Sequence, residues 1–390
     1  MALPTLPLKW LALAKHQENL FYQYPFVFTL IFISFTFILL KLITGSFSEK
    51  LNLPPSPPRL PILGNIHQLG LLLHRSLHNL SQKYGPLMYL RLGYSDVLVV
   101  SSAEMAREIK INHEIPFGNR PSTTSTRMLF YGPKDMAFSP YGDYWRQVRK
   151  ISVLEIFSNK KVDSFKSVRE EEVALLINKI SNLASMKTPV NITESVINVV
   201  NDIMWAMAEL VNNPHVMQKA REEVRRVVGK KNKVEEEDIQ QMEFLKGVVK
   251  ESLRLHPPAA LLPMETSTIT NVNGYHIPAK TKVHINIWSI HMDPNLWERP
   301  EEFIPERFIN SPINFSGQDF KYIPFGSGRR ICPGILFGTT AVELVIANLL
   351  YWFDWETPGG EKLDMAESFG LSVIKKLPYQ LLPIPISHLG

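Results

Sequence analysis

The chain has 390 residues, 45% of them apolar and 20% charged, with a net charge of +5 at neutral pH. This is the composition of a folded chain with a large core, and it excludes intrinsic disorder. The densest basic run, Arg225, Arg226, Lys230, Lys231 and Lys233, is followed at once by Glu235, Glu236, Glu237 and Asp238 and carries no interleaved aromatics, which argues against nucleic acid as a partner.

Residues 1–18 read as a leader. From Asn19 to Leu40 no residue is charged, and the stretch Pro25–Leu40 reads PFVFTLIFISFTFILL. About 20 apolar residues span a bilayer, so residues 19–42 are expected to form one transmembrane anchor. Lys41, Lys50 and Arg59 follow it and place the rest of the chain on the cytoplasmic side. A cleaved signal peptide is the competing reading, disfavoured because no small-residue cleavage site follows. Residues 43–62 form a basic, proline-rich hinge, with Pro54–Pro61 as a stiff spacer, and residues 63–390 form one domain. On this topology the three N-x-S/T sequences at Asn79, Asn191 and Asn314 stay unglycosylated.

Alternation at Met88, Leu90 and Leu92 and the run Val97–Val100 predict two strands, with Ser101 or Ser102 capping a following helix. Asn213 and Pro214 are expected to supply the N-cap and first position of a charged helix ending near Gly229. Apolar residues at Ile239, Met242, Leu245, Val249 and Leu253 predict a helix over 238–255, stopped by His256-Pro257-Pro258. Asn273-Gly274 predicts a tight turn, with Val283, Ile285 and Ile287 as the returning strand of a hairpin. The fold class is mainly α with minor β.

Glu251 and Arg254 share one face of the 238–255 helix, and Arg307 in Pro305-Glu306-Arg307-Phe308 is positioned to close a Glu–Arg–Arg network. The only cysteine, Cys332, lies in FGSGRRICPG, where Phe325, Gly328, Arg330, Cys332 and Gly334 keep the spacing F-x-x-G-x-R-x-C-x-G. A lone cysteine is commonly just a small apolar side chain. Here it sits on a glycine-rich loop that opens into the apolar helix Ile335–Phe353, whose N-terminus stabilises a thiolate, so the loop suits an axial ligand to haem iron. Gly326, Gly328 and Gly334 are read as permitting positive φ and close main-chain approach. Phe325 would shield the thiolate side of the ring and Arg330 would bind a haem propionate. The decoy Gly326-Ser327-Gly328 has Ile331 at the last glycine position and no strand before it, so a dinucleotide site is not expected.

On these residues the chain resembles the cytochrome P-450 superfamily, in its plant membrane-bound type. The matching positions are Glu251 and Arg254 of E-x-x-R, Arg307 of PERF, Phe325–Gly334, the proline-rich Leu53–Gly70, and Trp145 with Arg149 of W-x-x-x-R. The resemblance implies a haem-thiolate monooxygenase of plant specialised metabolism in the endoplasmic reticulum membrane, single-pass with its domain in the cytosol. It implies haem b ligated by Cys332, with Phe325, Gly328, Arg330, Gly334, Trp145 and Arg149 in the cofactor site, and Glu251, Arg254 and Arg307 as scaffold. It also implies membrane lipid, a small apolar substrate, and electrons from NADPH through a flavoprotein reductase, which basic residues on the cysteine side would attract.

Two departures stand out. Pro263-Met264-Glu265 lacks the basic residue of the family's P-R-E triplet. Between Ile203 and Met204 a block on the order of a hundred residues is missing by the family's length. The resemblance assigns to that block the helices roofing the substrate pocket and most of the long central helix. No A/G-G-x-D/E-T-T/S motif remains, and Gly338-Thr339-Thr340 lies after the cysteine. The acid–alcohol pair that delivers protons in oxygen activation is thus absent, and a positioned proton donor is worth about 10²–10⁴-fold. The alternative expectation is an inactive splice variant or gene-model fragment, membrane-anchored, with residual or no haem binding.

Overall fold

The structure is a computed structural model that describes residues 24–44, 51–130, 132–191, 201–370 and 372–386, without the side chains of 41–44. The leader, residues 19–23, Lys50 and part of the Asn191 sequence lie outside the described residues. The chain divides into two units, Met1–Asn52 and Leu53–Gly390.

In the first unit, helix α1 spans Pro25–Thr44, with proline at its start, where a missing N–H costs nothing. Its 20 residues make about 30 Å of helix, the thickness of a bilayer's hydrocarbon core. Phe26, Phe32, Phe35 and Phe37 are all exposed. The helix within the expected anchor 19–42 runs two residues past that stretch, to Thr44.

The hinge expected over 43–62 divides at Leu53, because the proline-rich stretch packs into the larger unit. Strand β1 (Leu87–Leu92) donates from Tyr89 N–H to Pro55 O at 2.9 Å. Buried Asn65 donates to Pro57 O and Pro58 O at 3.3 Å each and accepts from Arg91 N–H at 2.9 Å. Helix α2 (Leu73–Tyr84) precedes β1, and β2 (Ser95–Val100) pairs with it antiparallel. Alternate residues feed two different clusters. Leu87, Tyr89, Leu98 and Val100 join one, while Met88, Leu90, Val97 and Val99 join another on the opposite face.

Ser102 caps α3 (Ala103–Asn112) by accepting from Met105 N–H at 3.2 Å. Helices α4 (Asp143–Glu155) and α5 (Lys166–Ser185) and the short strand β3 (Val190–Asn191) follow. Helix α6 (Asn201–Asn212) runs without interruption through Ile203 and Met204, and every side chain from Ile203 to Leu210 is buried. Tyr379 Oη donates to Met204 O at 2.7 Å, and Trp205 stacks on His256 with centroids 3.9 Å apart.

Helix α7 (Pro214–Val228) starts at Pro214 as expected, but Asn213 does not cap it with its side chain. Asn213 Nδ2 turns back to donate to Glu209 O at 2.9 Å, so the preceding helix takes that side chain. The helix expected over 238–255 is broken. Glu235 and Asp238 form a capping box for the short helix Glu236–Ile239, and α8 (Glu243–Leu255) begins afresh. In the basic run, Lys231 pairs with Asp238 at 2.6 Å and Lys233 with Glu235 at 2.9 Å, while Arg225 reaches Asp354 at 2.7 Å.

The hairpin prediction needs a correction. Asn273 and Gly274, both at positive φ, join β5 (Thr270–Val272) to β6 (Tyr275–Ile277), after β4 (Leu261–Glu265). β7 (Lys282–Asn286) instead enters the larger sheet, in the order β1-β2-β7-β4, parallel to β2 and antiparallel to β4. Ile287 is not in a strand, because Asn286 accepts from Ser289 N–H at 3.1 Å and caps the short helix Ile287–His291.

Helix α9 (Ile335–Trp352) ends one residue early, since Phe353 opens β8 (Phe353–Glu356). β9 (Glu367–Phe369) pairs with β10 (Val373–Lys375), and β11 (Gln380–Pro385) lies between β3 and β8. Apolar residues of α5 to α9 make one continuous core, which carries the cysteine loop on the first turn of α9. The class is mainly α with minor β, as expected.

Candidate cysteine-ligand site

The loop Phe325–Gly334 is folded on itself by Cys332 N–H donating to Phe325 O and Ile331 N–H donating to Gly328 O, each at 3.0 Å. Gly326 and Gly328 take φ of 75° and 66°, where a side chain is strained. Gly334 does not: its φ is −91°, and a Cβ there would press to 3.3 Å on the Phe157 ring. Helix α9 starts at Ile335 and no side chain caps its first N–H groups, so its positive end lies next to Cys332 in sequence, with the thiol exposed. Phe325 is half-buried and packs edge-on to Phe315, 5.2 Å between centroids.

Cations gather behind the loop. Arg149, from α4, donates to Ile331 O at 2.5 Å, and burial lowers its pKa against the opposing pull of Cys332. Arg330 stacks 4.4 Å over Trp145 and donates from Nη2 to Ser139 O, leaving Nε and Nη1 buried without partners. Burial, with the charges of Arg120 and Arg149, brings Arg330 down to about 10. Trp145 is buried, but its indole N–H is already given to Met136 O at 3.0 Å, so one turn of α4 brings Trp145 to Arg330 as a ring rather than as a free donor.

Two members of this group were not legible in the sequence. Arg120 donates to Pro263 O, and burial lowers its pKa to about 10. Lys110 is held at about 8 by burial, then by repulsion from Arg120. The available signal was Lys110 on the same stripe of α3 as Met105, Ala106 and Ile109, an apolar face with one charge in it. Met264 is buried on β4, beside the carbonyl that Arg120 holds. Buried guanidinium N–H groups without acceptors, in a cluster of like charges, fit the carboxylates of a bound acid. The residues thus fit a haem, whose propionates Arg330 would hold.

The scaffold network closes as expected. Arg254 is bidentate to Glu251, 2.8 Å from Nε and 2.8 Å from Nη2, with both side chains at 0% exposure. Arg307 Nε and Ile304 N–H each donate to Glu251 Oε1 at 3.0 Å, and Arg254 Nη1 donates to His291 O at 2.8 Å. Glu251 therefore locks α8 to the 305–308 turn. Its described hydrogen bonds go to Arg254, Ile304 and Arg307, outside the cysteine loop.

Comparison with known proteins agrees with this geometry. The sequence model of the family described as Cytochrome P450 matches residues 54–204 and 198–383. Desmethylyatein synthase of Sinopodophyllum hexandrum is 40% identical over 483 positions, covering 91% of this chain and 97% of the relative. Cytochrome P450 71A1 of Persea americana is 41% identical over 455 positions, covering 82% and 91%. A zebra fish cytochrome P450 solved with progesterone superposes with a TM-score of 0.72 at 20% identity, covering 81% of this chain and 100% of that one. Both alignments to the plant relatives are longer than the 390 residues here, so those relatives carry residues without a counterpart in this chain. The two parts of the family match meet at 198–204, around Ile203 and Met204. With its fold, its scaffold network and its cysteine loop all in agreement, the chain belongs to the cytochrome P450 family of haem monooxygenases.

Proposed function

We propose that this chain is a haem-thiolate protein of plant specialised metabolism, with Cys332 as axial ligand to haem b, and that its oxygen activation is impaired by the block missing at Ile203/Met204. The observation that carries the reading is the exposed Cys332 thiol beside Arg330, whose buried N–H groups lack partners. When bound, haem supplies the iron at which oxygen is activated. Arg330, Arg120 and Arg149 would hold its acid edge, Phe325 would cover the thiolate, and the start of α9 would favour the deprotonated sulfur.

Proton delivery is what this chain's own residues lack. The A/G-G-x-D/E-T-T/S motif does not stand in the sequence, and the described part of α6 runs from Asn201 to Asn212. Ile151 and Leu154 of α4 and Ile156 just after it are exposed, an apolar surface that covering helices would bury. Desmethylyatein synthase and cytochrome P450 71A1, both from plants, support a plant cytochrome P450 ancestry, and a small apolar substrate would go with it. Electrons would come from NADPH through a flavoprotein reductase. The α1 helix would anchor the chain in the endoplasmic reticulum membrane, domain to the cytosol.

The test separates ligation from turnover. Reduced protein with carbon monoxide should show the red-shifted Soret band of a thiolate-ligated haem, lost in Cys332→Ser, while turnover with reductase stays at background. Absence of bound haem would overturn the ligation, and turnover at the rate of a full-length relative would overturn the impairment.

A further inference from the structure

The sequence motif places a glycine four residues before the cysteine, and approach to the haem was its expected reason. The structure gives that glycine a different neighbour. A Cβ on Gly328 would fall inside the contact radius of Glu114 Oε1 and 3.2 Å from Glu114 Cδ. The Glu114 carboxylate, largely buried, accepts the backbone N–H of Arg329 on Oε1 and the Arg329 Nε–H on Oε2 at 2.9 Å. Arg329 Nη1 donates onward to Tyr141 Oη at 2.6 Å, and the Tyr141 ring lies 5.5 Å from Trp145. Tyr141 N–H in turn donates to Asn119 Oδ1 at 2.9 Å, tying in the segment that carries Arg120.

We infer that Glu114 is a positioning residue for the cysteine loop, a carboxylate clamp on the Arg329 amide that holds the Gly328–Arg330 turn and so orients both Arg330 and Cys332. The turn is a single short helical turn whose own N-cap, Ser327, makes no side-chain cap bond. An external acceptor is therefore the group that satisfies the Arg329 amide, and a carboxylate accepts more strongly than a neutral group. The small residue at 328 leaves that carboxylate room to reach the main chain. The role of orienting Cys332 rests on its reading as the axial ligand, while the clamp itself needs no cofactor.

Amide hydrogen exchange of the peptide 325–334, measured on the whole detergent-solubilised chain without added haem, tests it. Glu114→Ala and Gly328→Ala should each speed exchange in that peptide at least tenfold, one by deleting the acceptor and the other by displacing it. Glu114→Gln, whose amide oxygen still accepts, should stay within a few-fold of the unaltered chain. Arg329→Ala keeps the main-chain bond and should also change little. In haem-loaded protein, Glu114→Ala should shift the reduced carbon monoxide spectrum from the band of thiolate-ligated haem toward that of haem without thiolate ligation, and Glu114→Gln should keep the thiolate band. Unchanged exchange in Glu114→Ala, or equal acceleration in Arg329→Ala, would overturn the clamp. Failure of the unaltered chain to bind haem would overturn only the ligand assignment, since the exchange measurement does not involve it.

Discussion

His291 illustrates how a single residue couples the scaffold to the cysteine side. It is fully buried, with Nδ1 at 3.1 Å from Arg254 O and Nε2 at 3.1 Å from Ile323 N, so Nδ1 carries the proton and Nε2 accepts. Burial, then the Arg254 charge, pulls its pKa from 6.5 down to about 3. The folded state therefore binds this proton less readily than the unfolded chain. Its contribution to stability is complete above pH 6.5 and is lost as pH falls toward 3, at up to about 1.4 kcal/mol per pH unit. Thermal unfolding should show this loss between pH 6.5 and 4, and His291→Gln should flatten the slope by close to one proton. His291 carried no signal in the sequence, because its partners come from α8 and from the approach to the cysteine loop. The same holds for Glu114, which lies 215 residues from Arg329.

Among the elements, α8 was the most legible, and its error is informative. Apolar spacing is continuous from Ile239 to Leu253, yet the capping box of Glu235 and Asp238 ends a short helix first and the chain restarts at Glu243. A local hydrogen-bonding alternative thus overrode the periodicity. Glu251 and Arg254 were read correctly because an i,i+3 pair is a property of one helix, whatever it packs against. In the interior that pair is far from surface decoration. Removing Glu251 would leave the Arg254 guanidinium uncompensated, and breaking a buried pair in this way costs about 3–5 kcal/mol. Glu251→Ala should lower the unfolding midpoint accordingly or abolish folding. Arg307→Lys, which keeps charge but loses the planar fork, should cost less. The misassigned strand Val283–Ile287 has the opposite lesson: alternation predicted β7 well, but which strand it pairs with depended on the parallel neighbour β2.

For the whole molecule, apolar length alone does not tell two helices apart. Ile335–Trp352 is long and apolar enough to cross a membrane, yet 61% of it is buried inside the larger unit, where it is a core helix. The α1 helix, with its phenylalanines exposed, is the element that suits lipid. Deleting residues 1–52 should release the chain from alkaline-washed membranes. Persistent resistance to extraction would mean that the uncovered apolar side chains of α4, and not α1, hold it there.

The sequence by itself determined the family, the glycine-rich loop around Cys332, the E-x-x-R pair and the place near Ile203/Met204 where the family match divides, because each is written in short-range spacing or in overall length. Only the tertiary structure decided that Lys110, Arg120, Arg149 and Arg330 share one cationic site, that Trp145 offers its ring while its N–H is already engaged, and that Gly328 makes room for Glu114. Those facts depend on which distant segments meet. Burial and like-charge proximity, which set the electrostatics of the site, exist only once the chain has folded.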